Sequence, residues 1–511
     1  MMSAPTTTPP PETALRPKTM GSELNSWLVT IGIVGFAFIL RLVNLGRPAN
    51  LVFDETYYAK DAWSLLQYGY EGSWADDSNA RILNGDLSGL SPDPSFIVHP
   101  QLGKWLIAAG EALFGMNSFG WRFMPLVFGC LLILFTIRVT RRLSRSTLIG
   151  AIAGLLLTFD GLAFVMSRIA LLDIFQASLT MLAVWFLLMD RDWYRTRLAN
   201  YLRDHGLHSL NGQLGPIFWF RPWRLAVGIT FGLAIGVKWN TAVLLAAFSV
   251  LSVLWDYGAR RLAGARIQAW PGALIDAAIA FVHQVLVAVV VYVLTWWSWL
   301  TTSGGYDRHT NANPLLALLK YHGEIWAFHN GDFIRGATHT YDAKPIGWLV
   351  MARPIGIDAV NDIQPGTDGC PPGGENCLRV ITGMGTPVLW WIGVFALAAA
   401  IVLWLLNRDW RFAVPVVGLF AAWLPWFPNS ERPVFFFYAI MMIPFTCIAI
   451  ALCLGALIGR PGGPRRVAGA ITAGVVLALV MLNFAFIYPI LTDQLLTYSQ
   501  WRMRMWFASW V

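Results

Sequence analysis

The chain has 511 residues, of which 56% are hydrophobic and 13% are charged, and it contains 26 tryptophans. Soluble domains usually carry about a quarter charged residues, so this composition excludes an ordinary soluble protein and indicates one that crosses a membrane many times. The formal net charge is +8, but the basic residues recur between apolar stretches instead of forming one polar segment. This distribution argues against nucleic-acid binding.

The first 26 residues are rich in proline and threonine and contain no apolar run. They predict a disordered tail over residues 1–26 and no cleaved signal peptide. Eleven apolar stretches follow, each near the length of about 20 residues that a membrane-spanning helix needs. They lie near 27–45, 119–138, 147–166, 169–189, 223–240, 241–256, 276–300, 384–406, 412–428, 434–457 and 467–489. The predicted fold is therefore an all-α polytopic membrane protein with about eleven transmembrane helices.

Arginine clusters follow the even-numbered stretches. They are Arg138, Arg141, Arg142 and Arg145, then Arg191, Arg195, Arg197 and Arg203, then Arg260, Arg261 and Arg266, then Arg408 and Arg411, and finally Arg460, Arg465 and Arg466. Basic loops stay in the cytoplasm, which predicts a multi-pass protein of the cell membrane with a cytoplasmic N-terminal tail. Residues 27–490 form the predicted transmembrane catalytic domain, and residues 491–511 form an extracytoplasmic C-terminal segment.

Two long loops, residues 46–118 and 301–383, lie on the outer side in this topology. Loops of this length usually carry a working surface. We expect the first loop to contain helices over Thr56–Tyr68 and Gln101–Phe114.

Two adjacent carboxylates, Asp54 and Glu55, follow the first apolar stretch. A charge beside the bilayer is costly unless it has a partner or a task, so this pair is the predicted centre of the chemistry. The alternative is that the acids cap the helix that begins near Thr56, and capping does not exclude catalysis.

Further ionisable side chains lie near the outer ends of the predicted spans. They are Arg41, His99, Lys104, Arg122, Arg168, Asp173, Lys238 and Arg432. A single basic residue at a span end can simply reach lipid headgroups, and Arg168 can pair with Asp173. Together, acids and cations at one membrane face can hold a lipid-linked phosphate donor and activate an acceptor hydroxyl.

Cys370 and Cys377 bracket a short polar loop and predict a disulfide, whereas the three other cysteines fall in apolar stretches. The acid pair has no accompanying set of histidines and carboxylates, so neither a metal nor another cofactor is expected. No glycine-rich phosphate loop is visible either. A lipid-linked donor therefore fits better than a soluble nucleotide sugar.

The ordered motifs resemble the protein O-mannosyltransferases, glycosyltransferase family 39, which have the GT-C membrane fold. The matching residues are Arg41, Phe53-Asp54-Glu55 with Tyr58 and Lys60, His99-Pro100-Gln101-Leu102-Gly103-Lys104, Arg122-Phe123-Met124-Pro125, Asp160-Gly161, Ser167-Arg168-Ile169-Ala170-Leu171-Leu172-Asp173, Gly236-Val237-Lys238-Trp239, His339-Thr340-Tyr341, and Arg432-Pro433 with Phe436-Phe437-Tyr438. The resemblance covers residues 27–490. Eukaryotic members carry a β-trefoil module in the late loop, for which residues 301–383 are too short, so the chain resembles a bacterial-type member.

The resemblance implies a polyprenyl-phosphate mannose donor and an inverting transfer to a Ser or Thr hydroxyl of an exported polypeptide. By position, Asp54 would be the general base and Glu55 would orient the acceptor. The residues implied for the donor phosphate are Arg122 first, then Arg168, Lys238 and Arg432. The residues expected to support them are Arg41, bracing the acid pair, and His99, Lys104 and Asp173.

The secretion translocon is the expected partner, because an unfolded acceptor emerges there. Two other functions remain open at this stage. A GT-C transferase with the same kind of donor could glycosylate a glycan or a lipid. A transporter or flippase for a lipid-linked sugar would instead place its charges at mid-membrane depth and use broken helices.

Overall fold

The computed structural model describes residues 11–460, 462–464 and 466–511. The first ten residues of the predicted tail, and Arg465, lie outside the described residues. A short helix over Pro11–Leu15 buries Leu15 completely, and Arg195 donates hydrogen bonds of 3.0 Å to the carbonyl oxygens of Ala14 and Leu15. Residues 11–26 therefore include this helix and the first four residues of the next one, which begins at Glu23.

Helices form most of the described chain. In chain order they are α1 (Pro11–Leu15), α2 (Glu23–Leu42), α3 (Glu55–Tyr68), α4 (Ser78–Leu83), α5 (Leu102–Phe114), α6 (Ser118–Ser144), α7 (Thr147–Thr158), α8 (Gly161–Met166), α9 (Asp173–Asp204), α10 (Pro222–Ile235), α11 (Thr241–Leu262), α12 (Ala269–Ala280), α13 (Val287–Leu294), α14 (Trp297–Thr301), α15 (Pro314–Asn330), α16 (Asp332–Arg335), α17 (Pro387–Leu405), α18 (Ala413–Trp423), α19 (Ile443–Ile458), α20 (Arg466–Ile487) and α21 (Tyr498–Arg502).

Seven helical segments of the described residues are long and apolar enough to cross a membrane. They are α2, α6, α9, α11, the run Arg266–Leu294 that contains α12 and α13, α17, and the run Arg466–Leu491 that contains α20. Four shorter apolar segments are α7, α10, Trp410–Trp426 and α19. These positions coincide with the eleven predicted stretches, and the number that actually span the bilayer stays a prediction.

The centre of the bundle is α9, which packs between α6 and α10. Nearly every residue of its first half is buried. With 32 residues it is about 48 Å long, which exceeds the hydrocarbon thickness of a bilayer. It therefore connects the two ends of the bundle, and its first residue, Asp173, belongs to the site described below.

The two long loops fold mainly on one end of the bundle. The helices expected over Thr56–Tyr68 and Gln101–Phe114 are confirmed, since α3 and α5 begin within one residue of those positions. The prediction missed two small antiparallel sheets. The first pairs β1 (Gly72–Trp74) with β2 (Leu90–Pro94), and the second has the order β3 (Ile355–Ile363), β4 (Cys377–Gly383), β5 (Leu495–Thr497).

Cys370 and Cys377 form the disulfide that their spacing suggested. Cys377 begins β4, and its partner on β5 is Thr497. The C-terminal segment is joined to the second long loop by further contacts, because Arg353 donates to the carbonyl oxygen of Val511 at 2.9 Å and the indole N–H of Trp510 donates to that of Met351 at 2.7 Å. These two parts of the chain therefore share one face of the molecule.

Candidate active site

Asp54 occupies the residue before α3, but its side chain makes no capping hydrogen bond. The preceding Phe53 has a φ of +47°, a left-handed conformation that is costly for a bulky residue. Its ring makes edge-to-face contacts with the ring of Phe435, at 6.0 Å between ring centres, and with the ring of Phe437, at 5.7 Å. The packed aromatic rings thus stabilise a turn that leaves the Asp54 carboxylate available for chemistry.

The surroundings of Asp54 favour a proton acceptor that works near neutral pH. Burial raises the pKa of its carboxyl to about 6, and the nearby charge of Asp173 acts in the same direction. The ammonium of Lys238 and the hydroxyl of Tyr58 oppose this shift without cancelling it. A base with a pKa slightly below the working pH combines a large ionised fraction with useful basicity.

Lys238 lies beside this carboxylate and is paired with Asp173. Its Nζ donates to Oδ2 of Asp173 at 2.7 Å, and it also lies 5.2 Å from the ring centre of Tyr438. The pairing partner of Asp173 is therefore Lys238 and not Arg168. Since an ammonium has three donors, Lys238 can hold Asp173 and still donate to an incoming phosphate oxygen.

His99 and His329 stack at 5.5 Å on the same side of the site, and His99 also lies 6.3 Å from the Tyr58 ring. Burial and neighbouring cations lower the pKa of both histidines, so they are neutral at pH 7. Nε2 of His329 donates to the Val98 carbonyl at 2.9 Å. Its Nδ1 is then the acceptor for Arg432 Nη1 at 3.3 Å, which fixes the tautomer.

Arg432 also has a buried Nε–H with no hydrogen-bond partner in the described residues. An unsatisfied buried donor costs about 1–3 kcal/mol, and more when it is charged. Such a group favours a ligand with acceptor oxygens, and a phosphate has the matching charge and geometry. Lys238 and Arg432, two of the cations predicted for the donor phosphate, therefore each have a donor that their contacts in the described residues leave unused.

The contacts of Arg122 argue against its predicted role as the first phosphate ligand. Its side chain is completely buried and makes a two-point ion pair with Glu55, both N–O distances being 2.8 Å. The remaining N–H groups donate to the carbonyl oxygens of Pro48 at 2.7 Å and Asn50 at 3.0 Å. No donor of Arg122 is left for a substrate.

Glu55 is equally occupied. Besides Arg122, its carboxylate accepts hydrogen bonds from the backbone N–H groups of Val52 at 3.0 Å and Ala170 at 2.9 Å. Both oxygens therefore serve the protein interior, and the predicted orientation of an acceptor by Glu55 has no free atom to act through. The Glu55–Arg122 pair instead fixes the turn that presents Asp54.

Arg168 binds the end of α2, and Arg41, which lies on α2, binds the ends of α7 and α8, so the partners of both are backbone or hydroxyl groups and not the acid pair. Arg41 donates to Ser167 Oγ at 2.9 Å and to the Thr158 carbonyl at 3.3 Å. Arg168 donates to the carbonyl oxygens of Arg41, Val43 (2.8 Å) and Asn44 (3.0 Å). Cations at a helix C-terminus satisfy its unpaired carbonyl groups. The prediction that Arg41 braces Asp54 and Glu55 is wrong, and the contacts of Arg168 indicate a structural role.

Lys104 lies in a separate buried cluster within the first long loop. Its Nζ is 2.8 Å from Asp61 and 3.1 Å from Glu71, and Gln101 donates to Glu71 at 2.8 Å. This network joins α3 to α5. The contacts of Lys104 in the described residues therefore support the packing of α3 against α5.

His329 was not among the predicted site residues, although the sequence carries a signal for it. His322 and His329 are seven residues apart on α15, which places them on the same helix face. Trp239 stacks on His322 at 5.5 Å and lies 6.3 Å from His329. The residue after Lys238 thus connects α15 to the site.

The described residues contain no group of three His, Cys, Asp or Glu side chains that could hold a metal ion. The arrangement provides one partly buried base and two cations for a phosphate. It therefore supplies what a group transfer from a lipid phosphate requires.

Comparison with solved structures identifies the class of fold. The protein O-mannosyltransferase Pmt1–Pmt2 complex of S. cerevisiae, solved with the sugar donor bound, contains a chain that superposes with a TM-score of 0.69. The match covers 98% of this chain and 94% of that chain at 14% sequence identity. The chain accordingly has the GT-C membrane fold.

Two family models match consecutive parts of the chain. Residues 32–304 match the dolichyl-phosphate-mannose-protein mannosyltransferase model, and residues 315–510 match the C-terminal four TMM region of protein O-mannosyltransferase. The chain belongs to the protein O-mannosyltransferase family.

Bacterial relatives match over nearly the full length. The polyprenol-phosphate-mannose–protein mannosyltransferase of Mycobacterium tuberculosis is 35% identical over 508 residues, covering 96% of this chain and 92% of the relative. The enzyme of the same name from Corynebacterium glutamicum is 32% identical over 518 residues, covering 97% and 95%. The family resemblance seen in the motifs is confirmed.

Proposed function

We propose that the protein transfers mannose from a polyprenyl-phosphate mannose to Ser and Thr hydroxyls of exported polypeptides. The observation that carries this proposal is the combination of Asp54, a base with a pKa of about 6, with two phosphate-competent cations, Lys238 and Arg432. The names of the bacterial relatives supply the donor and the protein acceptor.

The proposed reaction is a single displacement. The acceptor oxygen bonds to C1 of mannose while the bond from C1 to the phosphate oxygen breaks, and the configuration at C1 inverts. The hydroxyl proton passes to Asp54, and the departing polyprenyl phosphate keeps the bonding electron pair. Lys238 and Arg432 stabilise that developing negative charge, so no strong general acid is needed.

We place the site at the outer membrane–water interface of the cell membrane, with the N-terminus cytoplasmic. The support is the series of arginine clusters at the other end of the bundle, which favours the cytoplasm for that end. The C-terminal segment 491–511 then lies outside with the two long loops, in agreement with its contacts to β4 and Arg353. An acceptor emerging unfolded from the secretion translocon would meet the site directly.

A transfer assay tests the acceptor. Purified protein in lipid receives radiolabelled polyprenyl-phosphate mannose and a Ser/Thr/Pro-rich peptide, with the same peptide carrying alanine at every Ser and Thr as the control. We expect label only on the hydroxyl-bearing peptide. Label on a co-supplied lipid or glycan and on neither peptide would assign a different acceptor, and an unconsumed donor would refute the transferase assignment.

The rate should depend on pH through Asp54. Because the folded carboxyl has a pKa of about 6, the reactive base is lost as pH falls through 6, whereas an ordinary aspartate would remain ionised down to about 4. We expect kcat/KM, whose pH dependence reports the free enzyme, to reach half its plateau near pH 6. Donor binding measured over pH 5–8 is the control and should stay flat, and half-activity near pH 4 would contradict the assignment.

Replacing Arg432 by glutamine should weaken donor binding. The substitution removes one charge-assisted contact to the phosphate, so we expect KM for the donor to rise about tenfold. Arg335→Gln is the matched control, since Arg335 lies exposed on α16, six residues after the His329 that contacts Arg432. An unchanged donor KM and kcat in Arg432→Gln would exclude this arginine from the phosphate site.

A further inference from the structure

A cavity of about 810 Å³ lies at the end of the bundle opposite Asp54. Its position follows from α9, which has Asp173 at the active site and Arg191 at the cavity, eighteen residues later. At 1.5 Å per residue this separation is about 27 Å, close to the hydrocarbon thickness of a bilayer. The cavity therefore belongs to the other membrane face, and the proposed reaction does not use it.

The charge of the cavity is one-sided. Eight of its described lining residues are Arg or Lys, and none is Asp or Glu. Three of the arginines are neutralised from behind, because Glu12 pairs with Arg16 at 3.0 Å, Asp192 pairs with Arg145 at 2.7 Å and Asp409 pairs with Arg411. The others leave a net positive concavity, whereas arginines that only set membrane orientation need not converge on one space.

Arg191 is the strongest indication of an anionic ligand. Its side chain is 9% exposed and stacks 3.3 Å from the ring centre of Trp410. Its Nε is buried and has no hydrogen-bond partner in the described residues. The adjacent Asp192 is 3.6 Å away and already accepts two hydrogen bonds from Arg145. A buried guanidinium with an unpaired N–H favours an anionic ligand that brings acceptor oxygens.

The opposite wall of the cavity is apolar. It includes Leu452, Ala456 and Ile458 of α19, together with the half-exposed Leu148 on α7. Both helices are among the shorter apolar segments of the bundle. A ligand that fits both walls has an anionic head and hydrocarbon chains.

We propose that this cavity binds the phosphate headgroup of an anionic membrane lipid, with Arg191 as its central contact and the lipid chains against α7 and α19. Arg460, two residues after the end of α19, and Arg466, the first residue of α20, complete the rim. The inference stands apart from the proposed transfer reaction, since it uses none of the active-site residues.

Native mass spectrometry of the full chain tests the proposal. Delipidated protein in detergent is titrated with dioleoyl phosphatidylglycerol or with the neutral dioleoyl phosphatidylcholine. We expect one tight phosphatidylglycerol site and only weak phosphatidylcholine binding. Arg191→Gln should weaken the phosphatidylglycerol site at least fivefold, as the loss of one arginine contact to an anionic lipid predicts.

Arg466→Gln is a second variant whose half-buried side chain is less important for packing, and it should also weaken the site. Arg203→Gln on the exposed end of α9 is the matched control and should bind like the wild type. Equal lipid binding by all four proteins would overturn the proposal. Inorganic phosphate that binds as tightly as the lipid, with the same dependence on Arg191, would overturn the assignment to a lipid.

Discussion

Replacing Asp54 by asparagine is expected to lower kcat by about 100- to 10,000-fold, the range over which a positioned general base contributes. Asparagine keeps the size of the side chain but cannot accept the hydroxyl proton. Lys238 and Arg432 remain in place, so the affinity for the lipid donor should change little. Turnover is measured by peptide labelling, and donor affinity by direct binding.

The same substitution should not destabilise the fold, which separates a catalytic from a structural role. The folded carboxyl has a raised pKa of about 6, so the folded state holds the proton more tightly than the unfolded state. The contribution of the Asp54 carboxyl to the free energy of unfolding is therefore present at low pH and is lost as the pH rises through 6. At pH 7.5, the free energy of unfolding of Asp54→Asn should equal that of the wild type or exceed it by about 1 kcal/mol. This figure allows for the screening of the charge by water.

Asp77→Asn is the matched control, because Asp77 is an exposed carboxylate of the same loop that pairs only with Arg81 at the surface. It should leave both kcat and Tm unchanged. Near-normal turnover in Asp54→Asn would exclude Asp54 as the general base. A lowered Tm would show that the loss of activity comes from a folding defect.

Replacing Arg122 by glutamine is expected to lower the free energy of unfolding by about 3–5 kcal/mol. The change leaves the Glu55 carboxylate as an uncompensated charge in the interior, and breaking a buried pair by removing one partner has a cost of this size. It also removes the hydrogen bonds that Arg122 donates to the carbonyl oxygens of Pro48 and Asn50. Thermal unfolding in detergent, followed by intrinsic tryptophan fluorescence, measures the shift in Tm.

A double variant, Glu55→Gln with Arg122→Gln, distinguishes the pair from its two members. Since no lone charge remains, the double variant should be more stable than the sum of the two single changes predicts. Arg81→Gln is the surface control and should shift Tm by less than a degree or two. An unchanged Tm with weaker donor binding in Arg122→Gln would instead restore Arg122 to the phosphate site.

The helices could be predicted from the sequence because each carries its own signal. Apolar stretches of about 20 residues marked the long helices, and α3 and α5 could be located inside the first loop. The sheets could not be predicted. The strand β5 has only three residues and pairs with β4, more than a hundred residues earlier in the chain, so no local pattern reveals the contact.

The charged residues of the site could be found from the sequence, but their roles could not. Lys238, Arg122, Arg168 and Arg41 are all basic residues near span ends, and sequence position does not show which N–H groups are already used. The structure separates them by their partners: carbonyl oxygens for Arg168 and Arg41, Glu55 for Arg122, and a single carboxylate for Lys238. Burial and pairing depend on segments distant in sequence, which one-dimensional patterns do not contain.

Because β5 follows the last long apolar helix in the chain, the sheet that contains β4 can be completed only after that helix has been synthesised. Until the ribosome has made residues 495–497, the edge of β4 has no partner on that side, and its N–H and C=O groups are available to other chains. The disulfide at Cys377 and the strand pair at Thr497 meet at this same edge. A nascent chain that stalls before residue 495 therefore exposes the unpaired edge of β4. A quality-control protease could distinguish such a chain from a finished one by this edge.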